Sequence, residues 1–378
     1  MPDQPVEPTA DVRNVVLVLA QSDGGIGRHV RALATGLPTR GIRVTVCAPR
    51  ETIAALAFDQ LDVPVVAAPI GHPGPVALRA ARRALRRLAE DTDLVHAHGL
   101  RAGAACVAFA RTAPLVVTWH NAPLGGRRWR AAHSGLARYV ASSTDLTLAA
   151  SDDLADAARA AGALHVRSAF VAAPPLPAPQ RGRVELRAEL GLADRPIVVG
   201  IGRLHRQKRW DVLVEAAAGW SGSEWAGPGK PPYVVIAGEG PERAALGAQI
   251  ATLQAPARLL GFRRDVAELL AAADVVALPS EWEARALVAQ EALRAGVPLV
   301  TTRAGGLASL VKGAAVIVPV GDAEALQDAI DSVLTDDRRR TALIAAGLAR
   351  AKGWPDETAA LDELVANYRE LLRRISLQ

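Results

Sequence analysis

Glu283 and Glu291 stand eight positions apart in the stretch EWEARALVAQEALRAG, residues 281–296. Eight residues of helix rise about 12 Å, whereas the paired carboxyls of a glycoside hydrolase flank one bond at about 5–9.5 Å. The two acids therefore suit separated parts of one extended ligand better than a single scissile bond. Arg203 and Lys208 lie in GRLHRQKRWDVLVEA, residues 202–216, between an apolar strand and a helix. A guanidinium offers a planar fork and an ammonium a point charge, so together at a strand's carboxyl end they suit a diphosphate. Taken singly, each would be an ordinary solvated cation. His120 closes the apolar run LVVTWH, residues 115–120. A lone histidine is more often structural, but the carboxyl end of a parallel strand is where such sheets meet ligands.

Gly24, Gly25 and Gly27 follow the first apolar run, VVLVLA. Glycines there let backbone N–H groups approach an anion at a helix N-terminus, and a tight turn explains them equally well. The match of Gly25-x-Gly27-x-x-Val30 to a dinucleotide fingerprint is incomplete. That fingerprint wants an acid about 20 residues on, where this chain has Ala48–Pro49–Arg50. HAHG, residues 96–99, reads as strand-end architecture and not as a metal pair. Asp152 and Asp153 read as first-turn helix charge behind the N-cap Ser151.

These residues must be positioned by alternating strands and helices. Apolar runs at Val15–Ala20, Val44–Cys47, Val65–Pro69, Leu94–Ala97, Leu115–Trp119 and Leu146–Ala150 alternate with helical segments, which predicts a doubly wound parallel sheet. AAPPLPAPQRGR, residues 172–183, is proline-rich and reads as a stiff connection without a packing signal. The pattern then restarts at Ile197–Ile201 and continues through Tyr233–Ala237, Arg258–Leu260, Val275–Leu278, Leu299–Thr301 and Val316–Val318. The expected organisation is a disordered tail (1–12), a Rossmann-like domain (13–172), a linker (173–183), a second Rossmann-like domain (184–355) and a C-terminal amphipathic helix (356–378). Two such domains facing a cleft are expected, with the last helix returning to the first domain.

In order along the chain stand GGIG, HAHG, TWH (118–120), GRL-x3-K, GEGP (238–241) and E-x7-E, followed by AGVP and GG. This sequence of motifs resembles the GT-B-fold retaining glycosyltransferases of family four, and the likeness covers nearly the whole chain. The resemblance implies an α/β GT-B fold and transfer of a sugar from a nucleotide-diphosphate donor, a UDP- or GDP-sugar, to a hydroxyl acceptor. It implies no cofactor and no metal, which fits the absence of a D-x-D at a strand end. It gives Arg203 and Lys208 the diphosphate, Glu283 and His120 the donor sugar, and Glu291 the ribose. Phe262 and Arg263 fall where base contacts are expected. The chain departs from the family's E-G/P-F-G, with Ala284, Arg285 and Ala286 after Glu283. Loss of a glycine narrows φ freedom and Arg285 adds a cation, so donor choice is expected to differ. A binding protein of this shape without turnover, or a nucleotide-sugar hydrolase or epimerase, are the alternatives.

The acceptor side is less explicit. In VALRAARRALRRLAE, residues 76–90, Arg79, Arg82, Arg83, Arg86 and Arg87 share one helical face and the leucines the other. That is an ordinary amphipathic surface helix, and five arginines on its exposed face also suit anionic headgroups. Trp129 in GGRRWR (125–130) is a candidate interface anchor. A lipid-linked acceptor, a cell-envelope polysaccharide or a small molecule are the expected acceptor classes; no nucleic-acid motif is present.

The bulk composition agrees. The net charge of +5 lies in the first half: residues 1–176 hold 19 basic against 14 acidic residues, and the remainder 25 of each. No run reaches the ~18–20 apolar residues of a membrane span. Cys47 and Cys106 are isolated in apolar contexts, which suits a reducing compartment. With no secretion-signal pattern at the start, the expected location is cytoplasmic, with or without peripheral attachment to the inner face of the membrane.

Overall fold

The computed structural model describes residues 11–22, 24–122, 127–221, 225 and 227–377; the side chains of residues 127–130 lie outside that description. The chain forms two compact units, one of residues Met1–Val171 with Glu357–Gln378 and one of Ala172–Asp356.

The first unit holds a parallel sheet of seven strands: β1 (Asn14–Leu19), β2 (Arg43–Ala48), β3 (Val65–Ala67), β4 (Leu94–His98), β5 (Leu115–Trp119), β6 (Leu146–Ala149) and β7 (Val166–Ser168), in the order β3-β2-β1-β4-β5-β6-β7. The central strands are buried on both faces because helices cover both; β4 and β5 are buried at every residue. β7 is invisible as an apolar run, since VRS is a largely exposed edge strand held by its pairing to β6. The helix Glu357–Ser376 completes this unit. Its Leu361, Leu364, Val365, Tyr368 and Leu371 join one core with β1, β2 and the helix Gly25–Gly36.

The second unit holds six parallel strands: β8 (Ile197–Ile201), β9 (Tyr233–Ala237), β10 (Ala257–Gly261), β11 (Val275–Leu278), β12 (Leu299–Thr302) and β13 (Val316–Val318), in the order β10-β9-β8-β11-β12-β13. Each sheet reverses its winding at one place, between β1 and β4 in the first unit and between β8 and β11 in the second. Ligands of doubly wound sheets bind beyond the carboxyl ends of the strands at such switch points.

Three local expectations change. The proline-rich stretch does pack at its start: Ala173 is buried, its N–H donates to Gln290 Oε1 at 3.0 Å, and its carbonyl accepts from Arg294 at 2.6 Å. Ser151 stands at the N-cap of the helix Asp152–Ala160 in extended conformation, but its hydroxyl caps no backbone N–H and donates to Asp153 at 2.5 Å. Glu283 lies outside the helix that carries Glu291, which spans Leu287–Arg294, so helical rise does not measure their separation.

Candidate active site

The switch point of the second sheet gathers most of the chemistry. Arg203 and Lys208 follow β8, while Ser280 and Glu283 follow β11. Lys208 Nζ donates to Glu283 Oε1 at 2.5 Å, and Ser280 Oγ donates to the same oxygen at 2.8 Å. The side chains of Lys208 and Glu283 are only 19% and 10% exposed, so the carboxylate is held by a cation and a hydroxyl in a largely dry place.

The two loops are sewn together by residues to which the sequence reading gave no role. Gln207 Nε2 donates to the Trp282 carbonyl at 2.7 Å, and the Gln207 carbonyl accepts from Glu281 N–H at 2.8 Å. Trp210 Nε1 donates to the Arg203 carbonyl at 3.0 Å. The turn after β12 closes against them, with Gly306 N–H donating to the Glu283 carbonyl at 2.7 Å. Gly305 has φ +52, and a Cβ there would overlap the Glu283 carbonyl oxygen and the Trp282 indole, so this position needs glycine twice over. Ser280 was visible three residues before Glu283, but its role depends on the fold of the loop. Glu291 is buried in the helix that follows the Glu283 loop, and Arg285 sits partly buried in that loop, between buried alanines.

Other sequence candidates lie elsewhere. Phe262 is 70% exposed beyond the edge strand β10. Arg263 forks onto Asp265 at 2.8 and 2.5 Å, and Arg181 ion-pairs with the same carboxylate. The hydrogen bond to Asp265 holds the Arg263 guanidinium above its usual range. Arg263 thus belongs to a surface charge network two strands away from β8.

The first unit has its own polar centre at its switch point. Gly24 and Gly25 have open space where side chains would be, whereas Gly27 is buried against Leu56, so its lack of a side chain serves helix packing. His29 follows on the same helix. His96 and His98 share a face of β4, and His120 follows β5. His96 Nδ1 lies 2.6 Å from the Tyr368 hydroxyl and its Nε2 2.6 Å from Thr118 Oγ1. His98 Nδ1 lies 3.1 Å from His120 Nε2, their rings stacked at 5.4 Å. His29 meets both edge-on, at 5.7 Å and 5.6 Å. Burial pushes His29 down to about 4 and, with His29 beside it, His96 down to about 3. Burial and neighbouring histidines hold His98 and His120 far below the usual range, so all four are neutral near pH 7. HAHG as strand-end architecture describes His96 well; the contact between His98 and His120 needed the β4–β5 pairing to appear. Among the described residues no three His, Cys, Asp or Glu side chains are arranged to hold a metal ion.

On the helix Pro75–Glu90, Arg79, Arg82, Arg83, Arg86 and Arg87 are all exposed, while Ala81, Leu85 and Ala89 are buried. Val76 and Leu78 are also exposed, at 76% and 55%. Trp129 lies in the first turn of the helix Arg127–Ala141, with its side chain outside the described residues; Gly125 and Gly126 lie outside them altogether. No helix among the described residues is long and apolar enough to cross a membrane.

Two parallel doubly wound sheets, the second with a cation–acid pair at its switch point, are the architecture of the GT-B fold. Residues 23–168 match the family model described as Glycosyltransferase Family 4, and residues 183–350 that of Glycosyl transferases group 1. The chain is 30% identical to a D-inositol 3-phosphate glycosyltransferase of Xylanimonas cellulosilytica, across 91% of each chain. It is 33% identical to an alpha-D-kanosaminyltransferase of Streptomyces kanamyceticus, across 50% of this chain and 49% of that one. The fold matches that of HepE from Anabaena, solved with UDP and glucose, with a TM-score of 0.79 at 22% identity over 94% of this chain and 99% of that one. The chain belongs to glycosyltransferase family 4.

Proposed function

We propose that this glycosyltransferase moves a sugar from a nucleoside-diphosphate donor to an acceptor hydroxyl with retention at the anomeric carbon. The observation that carries the reading is the pairing of Lys208 with Glu283 at the β8/β11 switch point. In a nucleotide sugar the diphosphate is bonded directly to the anomeric carbon, so its charge and the sugar hydroxyls lie within a few bonds. A cation for the first beside an acceptor for the second fits that ligand. Arg203 and Lys208 neutralise the charge that grows on the departing diphosphate as the C1–O bond breaks. Glu283 holds sugar hydroxyls and Glu291 the ribose, and the family resemblance gives His120 a contact with the donor sugar. The acceptor oxygen forms its bond to C1 on the face the diphosphate leaves, and its proton passes to a diphosphate oxygen. No protein nucleophile is needed. The relative named for D-inositol 3-phosphate supports a cyclitol hydroxyl as acceptor, the one named for kanosaminyl transfer supports a sugar as the group moved, and HepE, solved with UDP, supports a uridine donor.

The test is a panel of UDP- and GDP-sugars with product identification, run on the wild type and on Lys208→Ala and Arg203→Ala. We expect one donor to be turned over, and each substitution to lower kcat/KM by about 100-fold or more, the scale of one lost transition-state contact. Near-normal turnover in both variants refutes the assignment.

A lipid-linked acceptor is a second reading, favoured by the five exposed arginines beside exposed Val76 and Leu78. Basic and apolar groups together match an anionic bilayer surface. It predicts co-sedimentation with phosphatidylglycerol vesicles and not with phosphatidylcholine vesicles, and loss of that difference when the five arginines become glutamine. Equal recovery with both vesicles removes it.

A further inference from the structure

We infer that His98 is a positioning residue for His120: its Nδ1–H donates to His120 Nε2 and fixes His120 in the tautomer that presents Nδ1–H to the ligand. The inference rests on the reading in which His120 contacts the donor sugar.

His98 Nδ1 and His120 Nε2 lie 3.1 Å apart, and between two neutral imidazoles one proton occupies that gap. It sits either on His98 or on His120. His98 is 3% exposed, and its other nitrogen, Nε2, is buried without a hydrogen-bond partner. Were the proton on His120, neutral His98 would carry its own proton on Nε2, as a buried N–H with nothing to accept it. With the proton on His98 Nδ1, the unpartnered Nε2 is a bare acceptor. Orphaned buried N–H groups are rarer in proteins than under-used acceptors, so the second arrangement is the stable one. His120 Nε2 is then an acceptor, and its proton must be on Nδ1. That matters chemically, because a sugar hydroxyl facing His120 meets a defined donor instead of an even mixture of donor and acceptor.

The neighbours hold this arrangement. His98 and His120 are stacked with 24° between their planes, and His29 stands edge-on to both, so reorienting the His120 ring breaks one hydrogen bond and two ring contacts. His96 is occupied with Tyr368 and Thr118 and does not compete for His120. Among the described residues the titratable groups that face the pair are thus His29 from its helix and His96 from β4, the latter bonded to Tyr368 from the last helix. All are neutral near pH 7, since burial holds the tyrosine hydroxyl protonated.

The test uses the full chain with His98→Asn, His98→Gln, His98→Ala and His120→Ala. Asparagine places an N–H near the position of Nδ1, whereas glutamine reaches only the Nε2 position. Long-range proton–nitrogen NMR of labelled histidines should show wild-type His120 protonated on Nδ1. That tautomer should persist in His98→Asn and give way to a mixture in His98→Gln and His98→Ala. An even tautomer mixture by itself lowers the competent population about twofold and a contact ring left free to shift costs up to about 100-fold, and that loss should fall on kcat in the glutamine and alanine variants. Their affinity for the nucleoside diphosphate should stay within about twofold, since that ligand is held by other groups. Adding His98→Ala to His120→Ala should cause no further loss, because residues acting through one another are not additive. Wild-type His120 protonated on Nε2 overturns the inference, as does an unchanged tautomer and kcat in His98→Gln and His98→Ala. If His120→Ala itself keeps full kcat, the donor-contact reading of His120 fails instead, and the NMR result still decides the hydrogen bond.

Discussion

Lys208 donates to Glu283, so on the proposed reading the diphosphate shares the ammonium with the carboxylate. The position of Glu283 then decides how the site responds, and that position is set by its backbone. Its carbonyl accepts from Gly306 and borders Gly305. Gly305→Ala would force a side chain into that carbonyl at a positive φ. Left-handed strain of this kind costs about 1–3 kcal/mol, and the Glu283 loop is the part free to yield. We expect kcat/KM to fall by about 10-fold or more as the loop shifts, with the thermal midpoint lowered by a few degrees. An unchanged kcat/KM would show that the Glu283 backbone does not need its present place. The spacing of Glu283 and Glu291 was legible in the sequence, as were Arg203 and Lys208. The stitch from Gln207 to Trp282 was not, because a side-chain-to-carbonyl bond across 75 residues leaves no periodic trace, and the bond from Ser280 to Glu283 depends on how the loop folds.

Strand ends, not single residues, make the histidine cluster of the first unit. β4 supplies His96 and His98, β5 delivers His120, and the helix after β1 adds His29. Each has a folded-state pKa below the ordinary 6.5, and His29 and His96 lie at about 4 and 3. Above pH 6.5 neither folded nor unfolded chain binds these protons, so full stability is present there. As pH falls from 6.5 toward 4 the unfolded chain takes up protons that the folded chain refuses, and stability is lost. Each excluded proton costs about 1.4 kcal/mol per pH unit within that window. Denaturant titrations between pH 6.5 and 4.5 should therefore show steeply falling stability, with a shallower slope in His96→Gln by about one proton's worth. An identical slope in that variant would mean that His96 takes up its proton without unfolding. Most strands were legible as apolar runs because parallel strands are buried on both faces. β7 was not, since an exposed edge strand carries little apolar signal.

At the level of the whole molecule, the sequence shows two repeats of one plan, with an amphipathic last helix expected to return to the first domain, as it does. The structure gives that helix a core. Leu361, Leu364, Val365, Tyr368 and Leu371 are each 7% exposed or less, and Arg40 binds Asp362 at 3.0 Å. Five such side chains at about 1.5–3 kcal/mol apiece rival the whole stability of a typical domain, about 5–15 kcal/mol. Ending the chain at residue 356 should abolish the cooperative unfolding of the first unit. Residues 172–356 expressed alone should still fold and bind a nucleoside diphosphate. Calorimetry checks both, and a truncated chain that keeps every wild-type transition would contradict the first.

The same helix orders events during synthesis. The first 171 residues emerge from the ribosome with the core shared by β1, β2 and the helix Gly25–Gly36 still incomplete, and the missing piece follows 185 residues later. At about 5–20 residues per second, the nascent chain waits on the order of 10 s or longer with apolar surface open to chaperones. The unit made second is thus the one able to finish folding first.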